Sequence, residues 1–512
     1  MNTHSLQITN SLFRPRWFHE ANNLDLALSL CVSGAVILFV CALNPEVMLH
    51  WFLIPVFISG ALIGVEFFAW LRNRLDLFDP VGLVGAYGYY FFFVAPLLTA
   101  LWQFHTRELL VAPNWLDWMG GMATLNCAGV IIYLGTKTFL GRMNRAPKAV
   151  WHVQHNRFVH LMALVLPITA LVQAFIFSKF GGIWGFMEAF STDSKAFDGM
   201  GWQFLIAEAF PSLLAVFVLV YKRNALRRAP WTPIALLAFL FFVTKLVFGG
   251  LHGSRSNTVW LMLWLCGAIH VWIKPVPRHL VAIGIAFLVV FMYVYGFYKA
   301  QGVDALGTLQ SSDEMHTTAN RTGRTFDSTL LGDFARSEIQ AYLLYRLVEV
   351  HDYDYAGGDT YLGAFLVMVP KTLRPDWVPS KVQKGTEALY GRGEYSPEYL
   401  RASQVYGLAG EAMLNFSPFA VPLGFAVLGF VVVKTRALQL TDCNDARRLL
   451  LPFYVTACIL ILNSDLDNII VFFLTTAVPV LAVLKMSTRI VSAPPASAGF
   501  IEARRLPSVA AS

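Results

Sequence analysis

The sequence predicts an all-α polytopic membrane protein, with about twelve transmembrane helices and one large external loop between the ninth and the tenth. Three observations predict it. The 512 residues are 56% hydrophobic and only 14% charged, where soluble domains carry about 25% charged residues. The mean hydropathy of +0.55 comes from apolar runs that repeatedly reach the roughly 20 residues needed to cross a bilayer. Lys and Arg then alternate from one short connection to the next.

The spans are expected at 26–43, 49–71, 80–102, 118–140, 158–180, 203–221, 231–250, 256–274, 279–298, 406–433, 449–463 and 466–485. They are helical because unpaired backbone is too costly in lipid. The short alternating strands of a barrel are absent. Residues 1–23 are polar and form an expected cytoplasmic tail, with no cleavable signal peptide, so spans one to nine occupy 24–298.

Orientation follows from the basic residues. Arg72 and Arg74, then Arg142, Arg145 and Lys148, then Lys222, Arg223, Arg227 and Arg228, mark alternate connections. Lys274 and Arg278, Lys434 and Arg436, Arg447 and Arg448, and Lys485 and Arg489 continue the series. The connections between them carry few basic groups. Both termini are therefore expected in the cytoplasm. Residues 299–403 then fall outside, in the periplasm of a Gram-negative cell. Spans ten to twelve fill 404–485, and 486–512, rich in Ala, Ser and Pro, reads as a disordered tail.

Two segments on the external side read as interfacial. The apolar stretch from Tyr361 to Pro370 is too short to span. Residues 181–197 (GGIWGFMEAFSTDSKAF) form the second. The net charge of +7 does not indicate nucleic acid, because the cations sit in short loops between apolar runs. None of the six cysteines lies in 299–403, so no disulfide framework is implied.

Ionisable residues in or beside a membrane are costly and count as functional candidates. Glu66 maps near a cytoplasmic helix end, where it can snorkel, and reads as structural. Glu208, Lys245, Arg255 and Glu411 map to the external side. The loop adds Arg321, Arg324, Arg336, Lys371 and Arg374. The sharpest local motif is residues 249–257 (GGLHGSRSN), a Gly-rich turn with His252 and Arg255 that opens a helix. Glycines admit close backbone approach. Arg offers a planar fork for phosphate oxygens, and a helix N-terminus favours anions. An ordinary capped turn is the plainer reading.

A second constellation runs from Gly357-Gly358-Asp359-Thr360-Tyr361 to Pro370-Lys371-Thr372-Leu373-Arg374, delivering a cation pair to the membrane surface. It could meet a lipid pyrophosphate or anchor on anionic lipid. In the third, residues 407–416 (GLAGEAMLNF), Glu411 could act as a general base or form a structural ion pair. His351, Asp352, Asp354 and Asp359 have no metal-ligand spacing, so no metal or cofactor is expected. No phosphate-binding G-x-x-x-x-G-K-[ST] loop is present.

At these motifs the chain resembles the Wzy-type oligosaccharide repeat unit polymerases, the O-antigen polymerase-like family. The resemblance rests on GSRSNT at 253–258, GGDTYLGAFLVMVPKTLRPDWVPSK at 357–381 and GLAGEAMLNFSPFAVPLGFAVLGF at 407–430, in that order around one long loop. Lys371 stands where the family often has Arg, and Ser417-Pro418 replaces its Gly after Asn-Phe.

The resemblance implies a glycosyltransferase of the bacterial inner membrane, polymerising undecaprenyl-pyrophosphate-linked oligosaccharides for O-antigen or exopolysaccharide. A chain-length regulator and a flippase would be its partners. Arg255, Arg336 and Arg374 are then the expected pyrophosphate contacts, with Glu411 as base. Lys371, His252, Lys245, Tyr361 and Arg324 are expected to bind substrate. An O-antigen ligase-like enzyme shares donor and chemistry. A polysaccharide or lipid transporter would instead place polar groups at mid-membrane on broken helices.

Overall fold

The computed structural model describes residues 22–106, 109–142, 149–192, 196–197, 199–251, 255–302, 312–323, 325–369, 373, 375, 378–396, 404–441 and 444–492. Among them, twelve helices are long and apolar enough to cross a membrane, and the chain is an all-α multi-pass membrane protein. The spans are Asn23–Leu43, Leu53–Leu71, Pro80–Leu101, Trp115–Gly141, His155–Lys179, Gly201–Tyr221, Trp231–Gly250, Arg255–Ile273, Arg278–Tyr298, Pro418–Gln439, Ala446–Asn463 and Leu466–Ser487. The series agrees with the spans expected from hydropathy, with one correction. Residues 406–433 are not one helix. Gly407–Phe416 is a separate short helix outside the spans, and the tenth span starts at Pro418. Pro disfavours helical backbone in the residue before it, and Ser417 adopts φ 113°.

Two packing clusters build the bundle. The first joins spans one to four and ten to loop helices, through residues such as Phe52, Phe93, Tyr133, Leu343 and Phe425. The second joins spans five to eight, eleven and twelve, around Phe158, Trp264 and Phe453. Span eleven feeds both, with Cys458 and Leu462 in the first and Phe453 and Leu460 in the second. It is 83% buried, more than any other span. Apolar side chains left at the surface, such as Leu38, Leu171 and Ile283, are the surface expected of a protein whose solvent is hydrocarbon.

At the basic end, carboxylates at span termini collect the arginines. Asn22 and Asp25 form a capping box on the first span. Asp25 also holds Arg72 at 2.7 Å and Arg74 at 3.2 Å. Asp79 caps the third span through the Val81 N–H and pairs with Arg436 at 3.2 Å. Glu66 does not snorkel as expected. It is 4% exposed and meets Lys137 and the Tyr133 hydroxyl inside the bundle. Its position near the helix end is right, but the fourth span covers it.

The tail corrects a second expectation. Instead of disorder from residue 486, Thr488–Ser492 forms a strand paired antiparallel with Ala149–Val153. Its β-branched Thr488, Ile490 and Val491 suit a strand, and Trp151 stands opposite Ile490.

At the opposite end, the chain between spans nine and ten folds over the bundle as short helices. Asp359–Leu366 has the character expected of an interfacial element: Thr360 and Ala364 are buried, while Leu362 and Phe365 are exposed. Within the other expected segment, Ile183–Thr192 is a helix, entered through Gly181 and Gly182 at positive φ.

Candidate functional site at the loop end of the bundle

The Gly-rich turn is built by a break in the seventh span. The helix widens over Leu246–Gly250, where Phe248 and Gly249 leave helical backbone. Gly249 has φ 115°, and a Cβ there would lie 2.6 Å from the Glu208 Cδ. Only glycine fits, because the backbone passes over a buried ion pair. Lys245 Nζ donates to Glu208 Oε2 at 3.1 Å, and Lys245 is 2% exposed. Tyr295 and Tyr298 donate to the carbonyls of Gly250 and Leu251.

Arg255 is the first residue of the helix Arg255–Ala268, as the motif predicts. It is 7% exposed. One guanidinium nitrogen donates to the Met292 carbonyl at 3.0 Å, and another to the Asp333 carboxylate. Asp333 closes the short widened helix Ser328–Asp333. Two phenols of the third span fix that segment: Tyr87 donates to the Phe334 carbonyl and Tyr90 to the Leu330 carbonyl.

Arg336 lies three residues beyond Asp333. Its guanidinium donates to the carbonyls of Gly332 and Asn463. Burial holds it below its ordinary pKa, while Asp333 and Asp465 oppose that shift. The Asn463 side chain reaches back to the Asp333 carbonyl at 3.4 Å.

Asn463 ends span eleven and Leu466 starts span twelve, so the two-residue turn Ser464-Asp465 becomes a hub. Asp465 is fully buried. One oxygen accepts from the N–H groups of Tyr406 at 2.9 Å and Gly407 at 2.8 Å. The other pairs with Lys381, itself 7% exposed. Gly407 is at φ 68°, and a Cβ there would lie 2.4 Å from the Leu462 carbonyl oxygen. The helix carrying Glu411 is thereby pressed onto the end of span eleven.

Glu411 is buried beside this hub. Oε2 accepts from the Leu466 N–H at 2.7 Å and Oε1 from the Thr360 hydroxyl at 3.2 Å. It therefore ties the first turn of span twelve to the interfacial helix Asp359–Leu366. Burial, and then the charge of Asp465, push its carboxyl up to about 8. Asn415, one turn on, donates to Thr360 and accepts from the N–H groups of Gly358 and Thr360. Tyr361 stacks at a tilt on Phe416, 6.2 Å between centroids. Its phenol is pushed up by burial and then by Glu411.

Of the residues predicted from sequence, Arg255, Arg336, Glu411 and Tyr361 thus join one connected network, and Lys245 sits behind it on Glu208. Arg374, Lys371, His252 and Arg324 lie outside the described residues. Arg321 falls in the helix Ser312–Thr322. The acidic group near residue 352 is engaged elsewhere: Asp352 and Asp354 both pair with Arg392. Sequence reasoning missed Asp333, Lys381, Asn463 and Asp465. A signal existed for the last two, because NSDLDN at 463–468 interrupts two apolar runs with two acids and two amides.

Chemically, the network sets the buried Arg255 and Lys381 and the half-buried Arg336 against two carboxylates at one end of the bundle, with the buried carboxyl of Glu411 beside them. Gln340 joins the network by donating its amide to the Tyr406 carbonyl at 2.7 Å; its Oε1 and the Asn463 Oδ1 are buried and accept no hydrogen bond among the described residues, which favours a donor-rich ligand or water. No protein-family model, no curated protein and no solved structure matches this chain.

Proposed function

We propose that the chain is a membrane glycosyltransferase that joins undecaprenyl-pyrophosphate-linked oligosaccharide repeat units, working on the outer face of a bacterial inner membrane with both termini cytoplasmic. One observation carries the reading. Two ion pairs, Arg255–Asp333 and Lys381–Asp465, are linked through hydrogen bonds of Asn463, Arg336 and Glu411 at the end of the bundle opposite the basic loops. Buried charges beside hydrocarbon are costly and persist where function uses them. The lipid-facing helix Asp359–Leu366 brings the bilayer surface to the same network.

The reaction needs no nucleotide, because the donor already carries its leaving group. An acceptor hydroxyl attacks the anomeric carbon of the donor glycan. A new glycosidic C–O bond forms as the C–O bond to pyrophosphate breaks, and the electron pair leaves with undecaprenyl pyrophosphate. The hydroxyl proton passes to Glu411 and then to water. Cations fixed before the reaction stabilise the charge developing on the leaving group. Holding two lipid-bound substrates at one membrane end supplies the positioning.

A ligase that hands the same donor to another acceptor uses the same network. The transporter reading is weaker, because the network gathers at one end of the bundle rather than at mid-membrane. Deleting the gene tests the proposal. The expected result is single repeat units on lipid carrier or core, without long chains. Unchanged chain length, in a strain without a second polymerase, overturns it.

A further inference from the structure

An apolar cleft of about 350 Å³ opens between spans five, six and twelve, a volume within the range of ligand pockets. Trp202 and Ile206 of span six, Leu474 and Val478 of span twelve, and Met368 from the loop form its walls. The polar side chain in its lining is Thr169, whose hydroxyl donates to the Val165 and Leu166 carbonyls of its own helix. The Trp202 indole N–H is the other polar group of the lining, and the rest of the wall is apolar. Behind it, Ser212 donates to the Thr476 carbonyl at 3.3 Å, tying spans six and twelve together.

Two elements connect this cleft to the ionic network. Span twelve begins at Leu466, whose N–H donates to Glu411. Leu474 lies eight residues along the same helix, about 12 Å away at 1.5 Å per residue. The interfacial helix binds Glu411 through Thr360 and, eight residues later, delivers Met368 to the cleft rim. The polar site and the apolar cleft therefore share span twelve, and the segment from Thr360 to Met368 runs from one to the other. That is the geometry for a long amphiphile with an anionic head and a hydrocarbon tail. Methionine suits an irregular, methyl-branched chain, because it repacks easily.

We infer that this cleft holds the proximal part of a polyprenyl tail while the phosphate end sits at the network. The inference rests on the proposed reaction for its choice of tail. A polyprenyl chain is preferred over bilayer phospholipid because span twelve runs from the cleft to Glu411 and the buried Lys381–Asp465 pair.

The test uses full-length protein in phosphatidylethanolamine and phosphatidylglycerol nanodiscs, with undecaprenyl phosphate carrying a photoreactive group early in its tail. Labelling is expected on peptides covering 202–213 and 474–479, competed by unlabelled undecaprenyl phosphate but not by added phosphatidylglycerol. Ile206→Trp and Leu474→Trp narrow the cleft and should cut this labelling by about tenfold, since they remove the apolar burial that holds the chain. The wild-type labelling map stands even if one variant fails to fold. Equal competition by phosphatidylglycerol identifies a general lipid site and overturns the inference, as does labelling confined to other spans. Polymerisation assayed in parallel separates the two ideas. Cleft labelling without polymerisation leaves the tail site standing and removes the polymerase reading. Polymerisation by cleft-narrowed variants with unchanged labelling does the reverse.

Discussion

Asp333 holds the guanidinium of Arg255 across 78 positions of sequence, with the Met292 carbonyl on another nitrogen of the same fork. The carboxylate partner is about a third exposed and the arginine is not. The pair thus presents its acidic member outward, and an arriving phosphate would compete with Asp333 for the same nitrogens.

Arg255 is accordingly expected to tolerate neither Ala nor Lys. A lysine keeps the charge but lacks the planar fork that reaches Met292 and Asp333 through separate nitrogens. Both variants should lose roughly 10²–10³-fold in polymerisation, the scale for removing one fixed donor, at normal protein level in the membrane. Asp333→Asn separates two roles. If Arg255 contacts pyrophosphate, freeing it preserves or tightens binding of lipid-linked substrate. If Arg255 only anchors Asp333, the Asn variant is as impaired as Arg255→Ala. Near-normal chain length in Arg255→Ala removes the assignment.

The pH profile should carry the mark of Glu411. Burial and Asp465 raise its carboxyl to about 8, and a base works only when deprotonated. The rate should therefore climb with pH through neutrality, where an ordinary glutamate would give a flat profile. Glu411→Gln should abolish that limb and cost roughly 10²–10⁴-fold, the usual worth of a general base. Asp465→Asn removes a neighbouring negative charge, so the midpoint should move to lower pH. An unmoved midpoint rules out Glu411 as the titrating group.

Gly249→Ala is expected to destabilise the fold without touching substrate. The position needs φ 115°, and the new methyl would meet the Glu208 carboxylate above Lys245. Backbone strain of this kind costs about 1–3 kcal/mol. A lower thermal midpoint of the detergent-purified protein would show it. An unchanged midpoint means the turn adapts and the ion pair does not fix it.

Topology is tested by reporter fusions at Ala225 and Ser311. The proposed orientation predicts the first in the cytoplasm and the second outside. Activity of both fusions in one compartment contradicts the orientation on which the proposed reaction depends.

The spans were legible because hydrocarbon imposes length and composition on every helix that crosses it. Arg255 and Glu411 were legible for a related reason: a charge inside or beside an apolar run stands out. Asp465 was less so: the run NSDLDN marks it, but it sits in a two-residue turn that looks like any connection. Lys381 and Asp333 were equally hidden among the many polar residues of the loop. Their significance is set by contacts with residues far along the chain, Lys381 with Asp465 and Asp333 with Arg255, and no local pattern encodes such pairings. The break at Ser417 was readable in part from Pro418, but the continuous apolar run outweighed it.

Span eleven belongs to both packing clusters, and its last residue opens the hub that gathers Arg336 and Lys381. A chain is made from its N-terminus onward, so ten spans and the whole loop between spans nine and ten emerge before this helix exists. Until it inserts, Arg255 and Asp333 have been synthesised, yet the turn beneath Arg336 and the carboxylate for Lys381 have not. The charged network is completed only by the last part of the bundle to be built. A chain cut short before residue 446 would keep most of its apolar mass and every predicted site residue, and still lack the piece that assembles them.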